Sequence, residues 1–279
     1  MSQPLVSVLI RTCQRPDVLK HALNSVKSQT YKNIQVVVVE DGENRSEDIL
    51  KKEYSDLNYI YRATGHKVGR AEAGNLALKL ANGEYLNFLD DDDLLLPEHI
   101  SRLTGALINS NNLAAYSNAE EIQINIISDN PYKYIVKRRL NRYHQPFNRL
   151  LLYTFNYIPI QSIMFHKELY VELGGFDSKL NALEDWDLWV RYSTRTNFTH
   201  INENTSCYFT PYMRNKKKDR GDYLNKCNEA VYVKFSNYVL NTNVGDMNLE
   251  MRYILEEYKQ KAYVRYLKIL LRRILWGER

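Results

Sequence analysis

The first hundred residues alternate between short apolar runs and longer segments of helical periodicity. Val6 to Arg11 reads as a strand. In Pro16 to Ser28, the residues Val18, Leu19, Ala22, Leu23 and Val26 recur at the spacing of one helix face. Ile34 to Val39 is a β-branched run, the pattern of a strand covered on both faces. A short helix is predicted over Ser46 to Tyr54 and a short strand over Tyr59 to Tyr61. Ala71 to Leu80 reads as a helix that Asn82-Gly83 ends. Tyr85 to Leu89 reads as a second buried strand, and Pro97 to Ser110 as a helix. Strands alternating with helices predict an α/β fold with a mostly parallel sheet flanked by helices.

From about Ala114 the rhythm weakens. Ala114 to Ile127 has room for a strand and its partner. Tyr132 to Arg149, rich in Arg, Lys, Tyr and Asn, reads as an exposed excursion. Ile158 to Phe165 is strand-like, Lys167 to Leu173 is a short helix closed by Gly174-Gly175, and Glu184 to Arg195 is a helix. Lys216 to Arg220 reads as a charged loop. Asp246 to Trp276 carries one long helical pattern, or two helices. We expect one domain over 1–240, divided near residue 113, with a helical C-terminal extension over 241–279.

Composition narrows the class without naming it. The 279 residues are 44% hydrophobic and 25% charged, as in ordinary globular proteins. A net charge of +5 suits anionic substrates or surfaces and does not call for nucleic acid. Three widely spaced cysteines argue against a disulfide framework or a cysteine metal site. Neither a signal peptide nor an apolar stretch long enough to span a bilayer is visible, so the expected location is cytoplasmic, with a peripheral place on the inner membrane face as an option. The 22 tyrosines serve sugar stacking or half-buried packing equally well.

In a parallel α/β sheet, ligands bind beyond the carboxyl ends of the strands. Three predicted strands end there in polar groups: Arg11-Thr12-Cys13-Gln14-Arg15, then Glu40-Asp41-Gly42, then Asp90-Asp91-Asp92-Asp93. Four adjacent carboxylates after a buried strand repel one another unless a cation joins them, and oxygen ligands suit Mg²⁺ or Mn²⁺. A helix cap accounts for one or two of them at most. Asp41-Gly42 is either a turn or part of a site. Gly69 to Asn75 opens a helix with small residues. It lacks the ending of a phosphate-binding P-loop, and no Gly-x-Gly-x-x-Gly follows the first strand. Glu184 and Asp185 are either helix-start acids or include a general base held by Trp186 and Trp189.

Taken together and in order, these segments resemble glycosyltransferase family 2, with its nucleotide-sugar-binding type A fold (GT-A). The opening strand with Arg15-Pro16, Asp41-Gly42, the Gly69 to Asn75 helix, Phe88-Leu89-Asp90-Asp91-Asp92-Asp93, and Gly174-Gly175-Phe176-Asp177 followed by Glu184-Asp185-Trp186 each match the family's pattern. The likeness covers roughly residues 5 to 195. It implies a Rossmann-like nucleotide-binding half and an acceptor half. It further implies inverting transfer of a sugar from a UDP-, GDP- or dTDP-linked donor to a hydroxyl of a glycan or lipid-linked acceptor, in surface polysaccharide synthesis.

On this resemblance Asp92 is the direct metal ligand, Asp90 lies nearer the ribose or the metal's waters, and Asp185 is the base. Thr12, Arg15, Asp41, Gly69, Asn75, Asp90 and Asp91 fall on the donor side. Glu184, Trp186, Arg138 and Arg139 fall on the acceptor side. Two departures stand out: Gly74 replaces a common Arg, and no Gln-x-x-Arg-Trp follows Asp185, which favours non-processive transfer. Competing readings are a metal-dependent nucleotidyltransferase and an inactive carbohydrate-binding relative. In the tail, Lys261, Arg265, Lys268 and Arg272 align opposite an apolar arc. That pattern suits an anionic membrane surface, or docking on the same domain or on a second subunit of a homo-oligomer.

Overall fold

The computed structural model describes residues 3–180, 182–212, 214–240, 242–257 and 259–260. The first half runs β1 (Val6–Thr12), α1 (Pro16–Lys27), β2 (Ile34–Glu40), α2 (Glu47–Glu53), β3 (Tyr59–Ala63), α3 (Arg70–Leu80), β4 (Tyr85–Asp90), the two-residue β5 (Leu94–Leu95) and α4 (His99–Ile108). The second half holds β6 (Ala114–Asp129), β7 (Tyr132–Tyr143), α5 (Arg149–Leu152), a 3-10 turn at Ile160–Ser162, β8 (Ile163–His166), α6 (Lys167–Leu173), α7 (Glu184–Ser193), β9 (Phe198–Pro211) and α8 (Arg214–Phe235). A last helix, α9, covers 244–257.

The nine strands of the described residues join one sheet in the order β3-β2-β1-β4-β8-β6-β9-β5, with β7 added alongside β6. The first four strands by sequence are mutually parallel. β8 runs against both β4 and β6, and β9 runs with β6. The sheet is therefore mixed and mostly parallel in its first half, as the alternation of strands and helices predicts. Alternate side chains of β1 and β2 enter opposite cores. Val8, Ile10, Val36 and Val38 meet α1, α2 and α4, while Leu9, Val37 and Val39 meet α3 and the helices of the second half. Burying each such side chain contributes about 1.5–3 kcal/mol, which is why a run apolar on both faces takes the centre of a covered sheet.

Several expectations change in the second half. Ala114 to Ile127 is not a strand with its partner but the greater part of one 16-residue strand, β6. Its partner is β7, built from the segment expected to be an exposed excursion. β8 begins at Ile163, after the 3-10 turn, rather than at Ile158. Lys216 to Arg220, expected as a loop, lie in the helical backbone of α8. β9 has no counterpart among the sequence expectations. The basic helix expected beyond residue 260 lies outside the described residues.

Candidate active site

Strand ends and the start of α7 enclose a cleft of about 620 Å³, lined among others by Arg11, Arg70, Asp90, Asp92, Gln161, Glu184 and Asp185. β1 and β4 are paired through Arg11 and Asp90, which puts the ends of these strands side by side. α7 approaches from the second half. Leu183, just ahead of it, adopts a left-handed φ of 62°, an uncommon state for a branched residue.

At the base of the cleft lies Arg11. Its guanidinium donates to Asp90 Oδ1 through Nη2 at 2.7 Å and through Nε at 2.9 Å, and Nη1 donates to Glu184 Oε1 at 3.0 Å. The rings of Phe88 and Phe176 lie within 5.7 Å and 5.4 Å of its guanidinium carbon. Arg70 Nε reaches Glu184 Oε1 at 3.7 Å. Burial alone would raise the Asp90 pKa, but Arg11 and Arg70 outweigh it and hold the carboxyl below its ordinary range. Oδ2 of Asp90 is not engaged by Arg11.

Asp185 is in a different setting. Burial first, and the neighbouring Glu184 second, push its pKa up to about 6. Asn156 donates to its Oδ2 at 3.0 Å, and the Trp186 amide donates to Oδ1 at 2.9 Å. Two acids on one wall are thus separated chemically: Glu184 is ion-paired with Arg11, while Asp185 sits near the threshold of ionisation.

The other aspartates divide their tasks. Asp91 is buried, accepts a bond from Thr12 Oγ1 at 2.6 Å and pairs with Arg15. Burial, against the pull of Arg15, pushes its pKa up to about 6. Arg15 also reaches Asp92 at 3.3 Å, and Asp92 stays 37% exposed beside the cleft. Asp93 accepts from the Phe209 amide of β9 at 3.1 Å.

The remaining expected site residues lie around this centre rather than in its lining. Asp41 accepts the backbone N–H groups of Val68 and Gly69 at 2.6 Å and 3.1 Å, which fixes the approach to α3. Asn75 exchanges two bonds with the Phe176 backbone, at 2.9 Å and 2.8 Å, so both ends of its amide are engaged there. Trp186, expected on the acceptor side, instead faces the core. It is 2% exposed, its indole N–H donates to Leu152 O at 2.6 Å, and Tyr232 and Phe235 pack edge-on against it. Arg138 and Arg139 lie on β7 outside the lining, with Arg139 paired to Glu120.

Sequence reasoning missed Gln161, Asn156 and the roles of Arg11 and Arg70 in the lining. Gln161 is 1% exposed, faces the cleft, and its Nε2 has no partner among the described residues. Its signal was a Gln-Ser pair inside an otherwise apolar run. For Arg11 the signal was a cation closing a buried strand.

Among the described residues no three His, Cys, Asp or Glu side chains converge as a metal cage. Asp90 and Asp92 nevertheless line one cleft. Mg²⁺ and similar hard cations are commonly held by one or two carboxylates and completed by phosphate oxygens and water, and this donor set fits that chemistry.

Comparison with known proteins gives a consistent picture. The profile of glycosyl transferase family 2 matches residues 7–174. An uncharacterized glycosyltransferase of Rickettsia typhi is 29% identical over 195 residues, covering 68% of this chain and 58% of its own length. The uncharacterized glycosyltransferase YwdF of Bacillus subtilis is 27% identical over 186 residues, 67% of each chain. Among solved structures, S. aureus TarS 1–349 with UDP-GlcNAc superposes with a TM-score of 0.62 at 17% identity, over 76% of this chain and 60% of that one. The mannosyltransferase PcManGT of Pyrobaculum calidifontis, solved with GDP-Man and Mn²⁺, gives 0.56 at 18% identity, over 79% and 61%. The chain thus spans 58% of the length of the Rickettsia relative, and the structural likeness is one of fold.

Proposed function

The chain belongs to glycosyl transferase family 2, and from that premise we propose that it moves a sugar, with inversion, from a nucleotide-sugar donor to a hydroxyl of a glycan or lipid-linked acceptor in surface polysaccharide synthesis. The observation that carries this reading is the pairing, across one cleft, of Asp90 and Asp92 with an Asp185 whose pKa is pushed up to about 6. The first half, about 1–113, takes the donor, and 114–240 presents the acceptor.

In this scheme Asp92, with Asp90 behind it, would hold Mn²⁺ or Mg²⁺. When bound, the cation supplies charge neutralisation for the departing nucleoside diphosphate. The acceptor oxygen forms a bond to the anomeric carbon as the bond from that carbon to the diphosphate breaks. The hydroxyl proton passes to Asp185, whose carboxylate Asn156 and the Trp186 amide hold in place. Arg11 has no free role in this step. It neutralises Glu184, so that Asp185 titrates beside a paired rather than a bare carboxylate.

Asp185→Asn is expected to cut turnover by roughly 10² or more, the scale of general-base catalysis, with donor affinity preserved. Loss of donor binding in parallel with turnover would put Asp185 in the donor site instead. Asp92→Asn is expected to remove the Mn²⁺ dependence of donor binding, read by calorimetry with and without the metal. An unchanged metal response would reject Asp92 as a ligand. Thermal shifts with UDP-, GDP- and dTDP-sugars, each with and without Mn²⁺, identify the donor class, because a ligand of the folded state raises stability by mass action.

A further inference from the structure

The β6–β7 hairpin carries side chains that the cleft does not use. Its root and one side are held. Ile122 and Ile124 join Cys207 in a small core that Leu94, Tyr134 and Phe209 complete, and Tyr132 rests edge-on against His21 at 5.5 Å. Beyond this support, Ile126, Ile127, Ile135 and Val136 are 52%, 63%, 48% and 41% exposed. The register pairs Asn125 with Ile135, Ile126 with Tyr134 and Ile124 with Val136, so Ile126 and Val136 stand on the face of Ile124 and Tyr134, and Ile135 stands on the opposite face with Lys133. Four branched apolar side chains exposed on the two faces of one hairpin end mark an element able to enter an apolar phase end-on, rather than scattered surface residues.

The charges around them select the partner. Lys133, Lys137 and Arg138 are exposed, and no ion pair is recorded for any of them among the described residues. Residues 122–138 contain a single carboxylate, Asp129. The two cations nearer the hairpin root are different, since Arg139 pairs with Glu120 and Arg142 with Glu121. Unpaired cations beside exposed apolar groups match an anionic lipid surface, where the apolar groups enter the headgroup boundary and the cations meet the phosphates. An acidic glycan would use the cations but leave the four apolar side chains in water.

We propose that the end of the β6–β7 hairpin docks the protein on an anionic bilayer, with Ile126, Ile127, Ile135 and Val136 inserted and Lys133, Lys137 and Arg138 on the phosphates. Tyr132, on the same hairpin, shares a small hollow with Asp92 and His21, so the docked hairpin sets the rim of the cleft at the lipid surface. This docking is separate from the transfer chemistry and from any contribution of the tail helix.

The test is co-sedimentation of the full chain with phosphatidylglycerol and phosphatidylcholine vesicles at low and high salt. Wild type is expected to partition onto phosphatidylglycerol at low salt and to release at high salt. Each lysine lost should lower partitioning by roughly fivefold, from about 1 kcal/mol per cation, so Lys133→Gln with Lys137→Gln should lower it about 25-fold. Ile127→Asp with Ile135→Asp should abolish it, while Ile127→Leu should not. All four changed positions are exposed, and the thermal midpoint of each variant checks the fold. Wild type remaining in the supernatant with both vesicles would assign the patch to a protein partner and overturn the proposal. Undiminished binding of the hairpin variants would place the lipid contact elsewhere and overturn it equally.

Discussion

At the scale of single residues, Asp185 couples activity and stability through one proton. Its pKa, pushed up to about 6 by burial and Glu184, lies above the roughly 3.9 of an unfolded Asp. The folded state therefore holds this proton more tightly. The stability it contributes is complete below pH about 4 and is lost as pH rises through about 6. Turnover needs the ionised form, so it should rise across the same window and level off above pH about 7. At pH 5 only about a tenth of the base is ionised. Asp185→Asn should lessen the loss of stability between pH about 4 and 6, measured by denaturant titration at each pH, and leave the share that Asp91 contributes. Asn156→Leu removes a bond donated to the carboxylate and should move the rising limb of the rate profile upward by about one to two pH units, since a hydrogen bond to a charged group is worth about 1.5–3 kcal/mol. A profile that stays in place would detach Asn156 from the base. Arg11→Met leaves Asp90 and Glu184 buried without their shared cation and should cost about 3–5 kcal/mol, with partial recovery on adding Glu184→Gln.

At the scale of elements, α3 and the Gly174–Asp177 segment interlock. A Cβ built on Gly74 would lie 2.5 Å from Phe176 Cε2, so Phe176 occupies the space that a larger side chain at 74 would take. Gly74→Ala should therefore displace the Phe176 ring from Arg11 and destabilise the fold by about 1–3 kcal/mol, as overpacking does. A thermal midpoint equal to wild type would show that the ring yields without cost. The departure at Gly74, visible in the sequence as a missing Arg, becomes intelligible only through this contact. Elements of the first half were legible because each is a short apolar run or one helix face, bounded by Gly, Asn or Pro. β6 and β9 were not, for different reasons. β6 is 16 residues long, beyond the usual strand length, and its surroundings change along it from β8 to β7. β9 reads Phe-Thr-His-Ile-Asn-Glu-Asn-Thr and owes its strand form to register with β6, a partner some 80 residues away. Trp186 was misplaced because an aromatic beside an acid looks alike whether it faces a ligand or α8.

At the scale of the molecule, the match to the family profile ends at residue 174, yet the wall bearing Asp185 lies beyond it. α8 holds that wall. Val231 is fully buried, Tyr232 and Phe235 clamp Trp186, and Lys234 reaches both Asp177 and Asp187, at 2.7 Å and 3.0 Å. Asp187, wholly buried, also accepts from Tyr238 at 2.6 Å. A chain ending at residue 212 should lose the near-ultraviolet signature of packed tryptophan, and a native spectrum in that chain would show α8 to be dispensable. The strand order has a different kind of consequence, for synthesis on the ribosome. β4 pairs with β1 on one side and with β8 on the other, and β8 ends at His166. After Asp90 has emerged, 166 − 90 = 76 more residues must follow before that second edge can close. At about 5–20 residues per second, the nascent chain carries an open β4 edge for roughly 4–15 s. For those seconds the middle of the finished sheet is thus an open template on the growing polypeptide for pairing with a stranger.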